Sequence, residues 1–248
     1  MSRFHTPGAV GTWVKLPTIE TVQILAHARY DFVVIDQEHA PIDIRTAYQL
    51  INTATAEGLL ALVRVDELRP AAIQRILDAG ADGVLIPHID TPEQAELAVR
   101  SVRFPPRGIR GAGGTSRAGR WGTRPTEDYL RSGNLDALCI PQLESRQAMN
   151  NAEAIASIDG IDALFLGVAD LSMDMGSTPA DPKVIELYLH ALEASHAAGK
   201  PCGFAAGTGA GAQIALQQGF DFVMASSDTA MLVNQATQVL QAVRAPTP

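Results

Sequence analysis

The chain has 248 residues, 46% of them apolar, and a formal net charge of −8. That length suits one large domain or two small ones, and the apolar fraction is that of a folded globular protein. The acidic balance argues against a nucleic-acid or anionic-membrane surface, although a site can still be locally positive. No apolar run reaches membrane-spanning length, and Met1 to Gly8 carry no apolar signal core, so the cytoplasm is the expected compartment. Cys139 and Cys202 both fall in apolar runs, which reads as two buried thiols in a reducing compartment.

Val10 to Lys15 reads as a strand, and Pro17-Thr18 opens a helix with Ile19, Val22, Leu25 and Ala26 on one face. Phe32 to Asp36 is a second strand. Asp43 can cap a helix carrying Ile44, Ala47, Leu50, Ile51 and Ala54. Leu60 to Val65 is the third strand, followed by a helix from Pro70 to Ala79. Val84 to Ile86 is the fourth, ending at Pro87-His88, and Thr91 caps a helix to Val102. Phe104 to Trp121 is rich in Gly, Pro and Arg, and long loops in compact domains are usually functional or disordered. Strands resume at Ala137 to Glu144, Ala163 to Leu166, Pro201 to Phe204 and Phe222 to Ala225. Helices over Ser145–Ala156, Pro182–Ala198, Gly207–Gln218 and Thr229–Val243 follow them in turn.

Eight strands alternating with eight helices through short connections imply parallel strands and right-handed crossovers. Eight units favour a closed TIM-type (β/α)8 barrel, with residues 1–248 as one domain. The alternation is architectural and shows no clear sequence repeat.

In such a barrel the C-terminal strand ends meet at one face. The polar residues delivered there are Lys15, Asp36, Glu38, His39, Arg64, His88, Gln142, Glu144, Asp170 and Ser226-Ser227. The organising stretch is Val33-Val34-Ile35-Asp36-Gln37-Glu38-His39-Ala40-Pro41, a buried strand that ends in acids and a histidine. Glu144 and Asp170 end neighbouring strands. Without a nearby cysteine or paired histidines they suit a hard divalent cation such as Mg²⁺ or Mn²⁺, or are two capping or surface carboxylates. Asp170 could also cap a short helix whose first amides, at Ala169 and Asp170, hold a carboxylate. Arg64 ends a buried strand and needs an anion, either a substrate oxygen or a structural carboxylate. Gln142 shares parity with Glu144. His88 ranks below His39, as a hydrogen-bonded structural histidine. Gly111 to Gly114 and Gly207 to Gly211 fit neither the dinucleotide fingerprint nor the P-loop. Arg110, Arg117 and Arg120 of the long loop could meet substrate or a neighbouring subunit.

Four strings then carry a resemblance: Ile35 to Pro41, Phe104-Pro105-Pro106-Arg107-Gly108-Ile109-Arg110-Gly111, Pro141-Gln142-Leu143-Glu144-Ser145, and Gly167-Val168-Ala169-Asp170-Leu171-Ser172-Met173-Asp174-Met175-Gly176. Collinear from about Gly11 to Val243, they resemble the HpcH/HpaI aldolases, class II pyruvate aldolases that act on 4-hydroxy-2-oxo acids. The resemblance implies reversible aldol cleavage to pyruvate, or a related 2-oxo acid such as hydroxypyruvate, and an aldehyde. The enolate is stabilised by a divalent metal ion, Mg²⁺, Mn²⁺ or Co²⁺. It implies Glu144 and Asp170 as metal ligands, Gln142 beside the metal and Arg64 on the keto oxygen. It implies His39 as the catalytic histidine, Asp36 as its orienting partner, Trp13 near the pocket, and Ala169 and Asp170 at the pyruvate carboxylate. It also implies a homohexamer with the last helix on a neighbouring subunit.

Val168, Lys15 and His88 depart from the family pattern and bear on the substrate. Lys15 lies two residues after Trp13 on one strand face, and is expected at the pocket mouth as a flexible cation favouring anionic or hydroxylated substrates. Two rivals remain: a CoA-thioester lyase of the citrate-lyase type, and a non-catalytic ketoacid-binding barrel. Neither nucleic acid nor membrane is an expected partner.

Overall fold

The computed structural model describes residues 8–245, so most of the N-terminal stretch read for a signal lies outside the described residues. The first half runs β1 (Ala9–Val14), α1 (Ile19–His27), β2 (Phe32–Asp36), α2 (Ile44–Ala56), β3 (Leu60–Arg64), α3 (Pro70–Asp78), β4 (Gly83–Ile86) and α4 (Pro92–Val102). Next come α5 (Thr126–Leu135), β5 (Leu138–Leu143), α6 (Arg146–Asn150), α7 (Ala152–Ala156), β6 (Leu164–Leu166) and α8 (Val168–Asp174). The chain closes with α9 (Pro182–Ala197), β7 (Cys202–Ala206), α10 (Gly209–Gln217), β8 (Phe222–Ser227) and α11 (Asp228–Arg244). The eight strands form one closed parallel barrel in sequence order, the expected (β/α)8 architecture.

Period-two alternation sorts the strand residues into two layers. Phe32, Val34, Leu62, Leu85, Leu138, Ile140, Phe165, Phe222 and Met224 fill the barrel interior. Val33, Ile35, Val63, Val84, Ile86, Cys139, Leu164 and Val223 face the surrounding helices. Both cysteines are free and buried. The same parity sends Asp36, two residues beyond Val34, and Arg64, two beyond Leu62, into the barrel mouth, where they are register partners.

The N-terminal face is held differently. Asp31, Asp82, Asp162 and Asp221 each stand just before an even-numbered strand. Their carboxylates accept the N–H of Val10, Ala61, Cys139 and Cys202 on the preceding odd-numbered strand, at 2.8–2.9 Å. Two residues before each Asp the backbone is left-handed, at Arg29, Gly80, Gly160 and Gly219. These four aspartate latches form a structural repeat that the sequence reading did not find.

Three helices differ from expectation. α5 fills part of the stretch between Trp121 and Ala137; it buries only Tyr129 and Gly133, too little apolar stripe to show as periodicity. The helix expected over Ser145–Ala156 breaks at Asn151, whose side-chain amide donates to the Asp90 carbonyl at 2.7 Å. α8 is one short run directly after β6, capped by Gly167. Among the described residues, no helix is long and apolar enough to cross a membrane.

Candidate active site

Asp36 anchors the mouth. It is fully buried, and its two oxygens take Arg64 Nε at 2.9 Å and Nη2 at 2.7 Å. Lys15 Nζ adds a third contact at 2.6 Å. Burial alone would raise the Asp36 carboxyl, but hydrogen bonds and charge from Arg64, with Lys15, outweigh it and hold it at about 2. The Arg64 guanidinium also lies 4.0 Å over the Trp13 ring, so Trp13 of β1 and Asp36 of β2 hold it from two sides.

Arg64 Nη1 meets Glu38 at 2.8 Å, through an oxygen that has no well-angled hydrogen bond of its own. The other Glu38 oxygen lies 3.0 Å from His88 Nε2. His88 Nδ1 lies 3.0 Å from Glu144, whose same oxygen accepts the His88 backbone N–H at 2.8 Å. Glu144 Oε2 accepts from Gln142 Nε2. A continuous polar chain therefore runs Lys15–Asp36–Arg64–Glu38–His88–Glu144–Gln142 across the ends of five strands, β1 to β5, and the segments after them. Burial raises the Glu144 carboxyl, and the nearby Glu38 and Asp170 charges raise it further against the lowering effect of His88.

A cation would fit here. Ligand atoms of Glu38, His88 and Glu144 lie within 4.8 Å of one another. Gln142 Oε1 is buried beside them with no hydrogen-bond partner. Carboxylates, one imidazole and an orphaned amide oxygen form a donor set for a hard or borderline divalent ion. Gly167 makes room for it: a Cβ there would fall 2.8 Å from Glu144 Cβ and 3.0 Å from Gln142 Nε2.

The structure brings together most of the residues singled out in the sequence, with changes of role. Asp36 does not hold the His39 ring. Its Oδ1 accepts the backbone N–H of Glu38 and His39 at 3.1 and 3.2 Å. The His39 imidazole is exposed, 3.8 Å from Glu38. Lys15 is not a free cation at the mouth but is tied to Asp36. Its backbone N–H, with that of Leu16, is fixed by the buried Asp228 at 2.9 Å. Asp170 is not a cap; it sits in the first turn of α8, with Ala169 exposed before it. Arg110, Arg117 and Arg120 do not reach this mouth and line a cavity beside the start of β4.

Two participants were underrated. Glu38 shares parity with Asp36, so its inward direction was readable. His88 was not, because its left-handed backbone (φ 55°) turns the ring back over the mouth.

The family model for HpcH/HpaI aldolase/citrate lyase matches residues 9–235. The chain belongs to that family. It is 39% identical to a hydroxypyruvate/pyruvate aldolase of Chromohalobacter salexigens, over 93% of this chain and 91% of that protein. It is 35% identical to a 2-dehydro-3,6-dideoxy-6-sulfogluconate aldolase of Pseudomonas putida, over 95% and 92%. The crystal structure of an HpcH/HpaI aldolase/citrate lyase family protein from Burkholderia cenocepacia J2315 superposes with a TM-score of 0.92 at 36% identity, covering 97% of this chain and 96% of that one. As an HpcH/HpaI family member with aldolase relatives along its whole barrel, the chain is a carbon–carbon lyase of the pyruvate aldolase class.

Proposed function

We propose that the mouth of the barrel cleaves and forms the C3–C4 bond of 4-hydroxy-2-oxo acids. The products are pyruvate, or a related 2-oxo acid such as hydroxypyruvate, and an aldehyde. The observation that carries this reading is the buried convergence of Arg64, Glu144 and the unpartnered Gln142 Oε1 at one strand-end face. A divalent ion, Mg²⁺, Mn²⁺ or Co²⁺, would be held by Glu144 and by Asp170, whose charge acts on Glu144, with Gln142 beside it and the Glu38 and His88 donor atoms lining the same site, and would act as a Lewis acid on the 2-oxo acid.

The chain's own residues do the rest. Arg64 has five N–H donors; Asp36 accepts two of them, and Glu38 lies against a third as an ion pair. The remaining two can stabilise the oxyanion that develops on the keto oxygen. His39 takes the proton from the C4 hydroxyl, the C3–C4 bond breaks, and its electron pair moves into the enolate. Protonation at C3 completes the 2-oxo acid. Asp36 fixes Arg64 and, through the His39 N–H, the start of the loop that presents the imidazole. Trp13 walls the pocket under Arg64. Lys15 fixes the far side of Asp36 and adds positive charge that favours anionic acceptors. The first-turn amides at Ala169 and Asp170 would receive the substrate carboxylate.

The barrel is proposed to act as one domain within a homohexamer. Support comes from α11, which buries no apolar side chain in this chain and exposes Leu232, Val233, Val239, Leu240 and Val243; a neighbouring subunit would cover them. Two buried free thiols support a reducing, cytoplasmic setting. The deciding experiment is metal removal. Chelator-treated protein should lose turnover and recover it with Mg²⁺, Mn²⁺ or Co²⁺, and full activity in metal-free protein would overturn the reading.

A further inference from the structure

A cavity of about 550 Å³ opens at the end of the barrel opposite the carboxylates. Gly80, Ala81 and Asp82 line it just before β4, and Ala137 just before β5. His88 and Glu144 follow those same strands at the other face. Four arginines, Arg110, Arg117, Arg120 and Arg124, face two carboxylates, Asp82 and Asp136. This is a concentration of positive charge in a chain whose net charge is −8.

The arginines lack sufficient counter-charge. Arg110 is buried, bound to Asp78 at 2.9 Å and stacked 4.5 Å over Phe104, yet its Nε has no hydrogen-bond partner. Among the described residues, the guanidiniums of Arg117, Arg120 and Arg124 form no ion pair or hydrogen bond. Arg117 and Arg124 are nevertheless half-buried. A partly desolvated cation without an anion is unfavourable unless a ligand supplies one. The Asp82 carboxylate already accepts the Ala61 N–H, and Asp136 is exposed.

The local backbone is shaped to hold this arrangement. Arg117 lies against bare Gly80, where a Cβ would fall 2.1 Å from its Nη1. Arg120 and Trp121 are consecutive non-glycine residues in the left-handed region, at φ 50° and 57°. Strain of this kind concentrates at ligand clamps. Here it turns both side chains onto the cavity wall.

We propose that this cavity binds a small multi-anionic metabolite, one that carries clustered phosphate or carboxylate oxygens. The site is separate from the mouth of the barrel. Guanidinium forks suit both oxygen types, so the probes distinguish them: inorganic phosphate and pyrophosphate in one arm, citrate in the other.

Calorimetric titrations of the full chain at low ionic strength, with the mouth saturated with pyruvate, test it. At least one arm should show saturable binding. The double variant Arg117→Gln/Arg124→Gln should weaken it about tenfold or more. Turnover of that variant should stay within about twofold of wild type, since neither residue touches the reacting groups. Arg120→Gln, at an exposed position, should weaken binding severalfold and decides the matter if the double variant folds poorly. Absence of binding at about 10 mM of every probe, or equal affinity in wild type and Arg120→Gln, would overturn the proposal.

Discussion

Asp36→Asn probes the clamp on which the site is built. The carboxylate is fully buried, with Arg64 on two bonds and Lys15 on a third. An amide of the same shape removes the charge and turns a donor toward a guanidinium. Removing one member of a buried ion pair costs about 3–5 kcal/mol, which in a chain of this size lowers Tm by about 6–20 °C. Lys15→Met should cost about 1 kcal/mol or less, because Arg64 stays with Asp36 and Lys15 is partly exposed. In the Lys15→Met background Asp36→Asn should cost less than in wild type, and that difference is the coupling between the two residues.

The pH dependence gives an independent arm. Asp36 is held at about 2 in the folded chain, below the roughly 3.9 of an unfolded aspartate. Its stabilisation is complete above about pH 5 and is lost as pH falls toward 2. The gap between wild type and Asp36→Asn should therefore narrow by roughly 1 kcal/mol by pH 3 and roughly 2 kcal/mol by pH 2. Thermal and urea unfolding across that range measures it. A variant within about 1 kcal/mol of wild type at pH 7, or a gap that does not change with pH, would refute the reasoning.

Arg64→Ala should lower turnover about 10²–10³-fold in a folded protein; a loss below tenfold would leave Arg64 as a structural partner of Asp36 and Glu38 only. His39→Ala should slow cleavage about 10²–10⁴-fold while pyruvate affinity, read by titration, changes little; the opposite split would make His39 a binding residue. Gly167→Ala should push Glu144 aside, cost about 1–3 kcal/mol and weaken metal binding about tenfold or more. Unchanged metal affinity in that variant would remove Glu144 from the ligand set.

Strand order, barrel closure and inward delivery of Asp36, Arg64, Gln142 and Glu144 were readable because alternation is a local property that parallel pairing preserves. The polar mouth was readable for the same reason. What escaped depended on backbone departures from that alternation or on long-range partners. His88 turns back through a left-handed residue. The competition for Asp36 among Arg64, Lys15 and the His39 amide is decided by three-dimensional distance, so the Asp36–His39 ring pairing that the family resemblance implies does not form. α5 was hidden because its burial rests on Tyr129 and on Gly133, which seats the Phe104 ring. The aspartate latches were visible letters at uneven intervals, residues 31, 82, 162 and 221, and so left no periodic signal.

Those latches bear on how the chain finds its fold. Each joins residues separated by 21, 21, 23 and 19 positions, so each closes a short loop within one strand–helix–strand unit. The entropy of closing such loops is modest, and contacts this local form early in a search. The seam between β1 and β8 is different: Ala9 meets Phe222 across nearly the whole chain. Assembly thus divides by sequence distance into four nearby closures and one remote one. Refolding should show hydrogen-exchange protection at Val10, Ala61, Cys139 and Cys202 before the seam is shut.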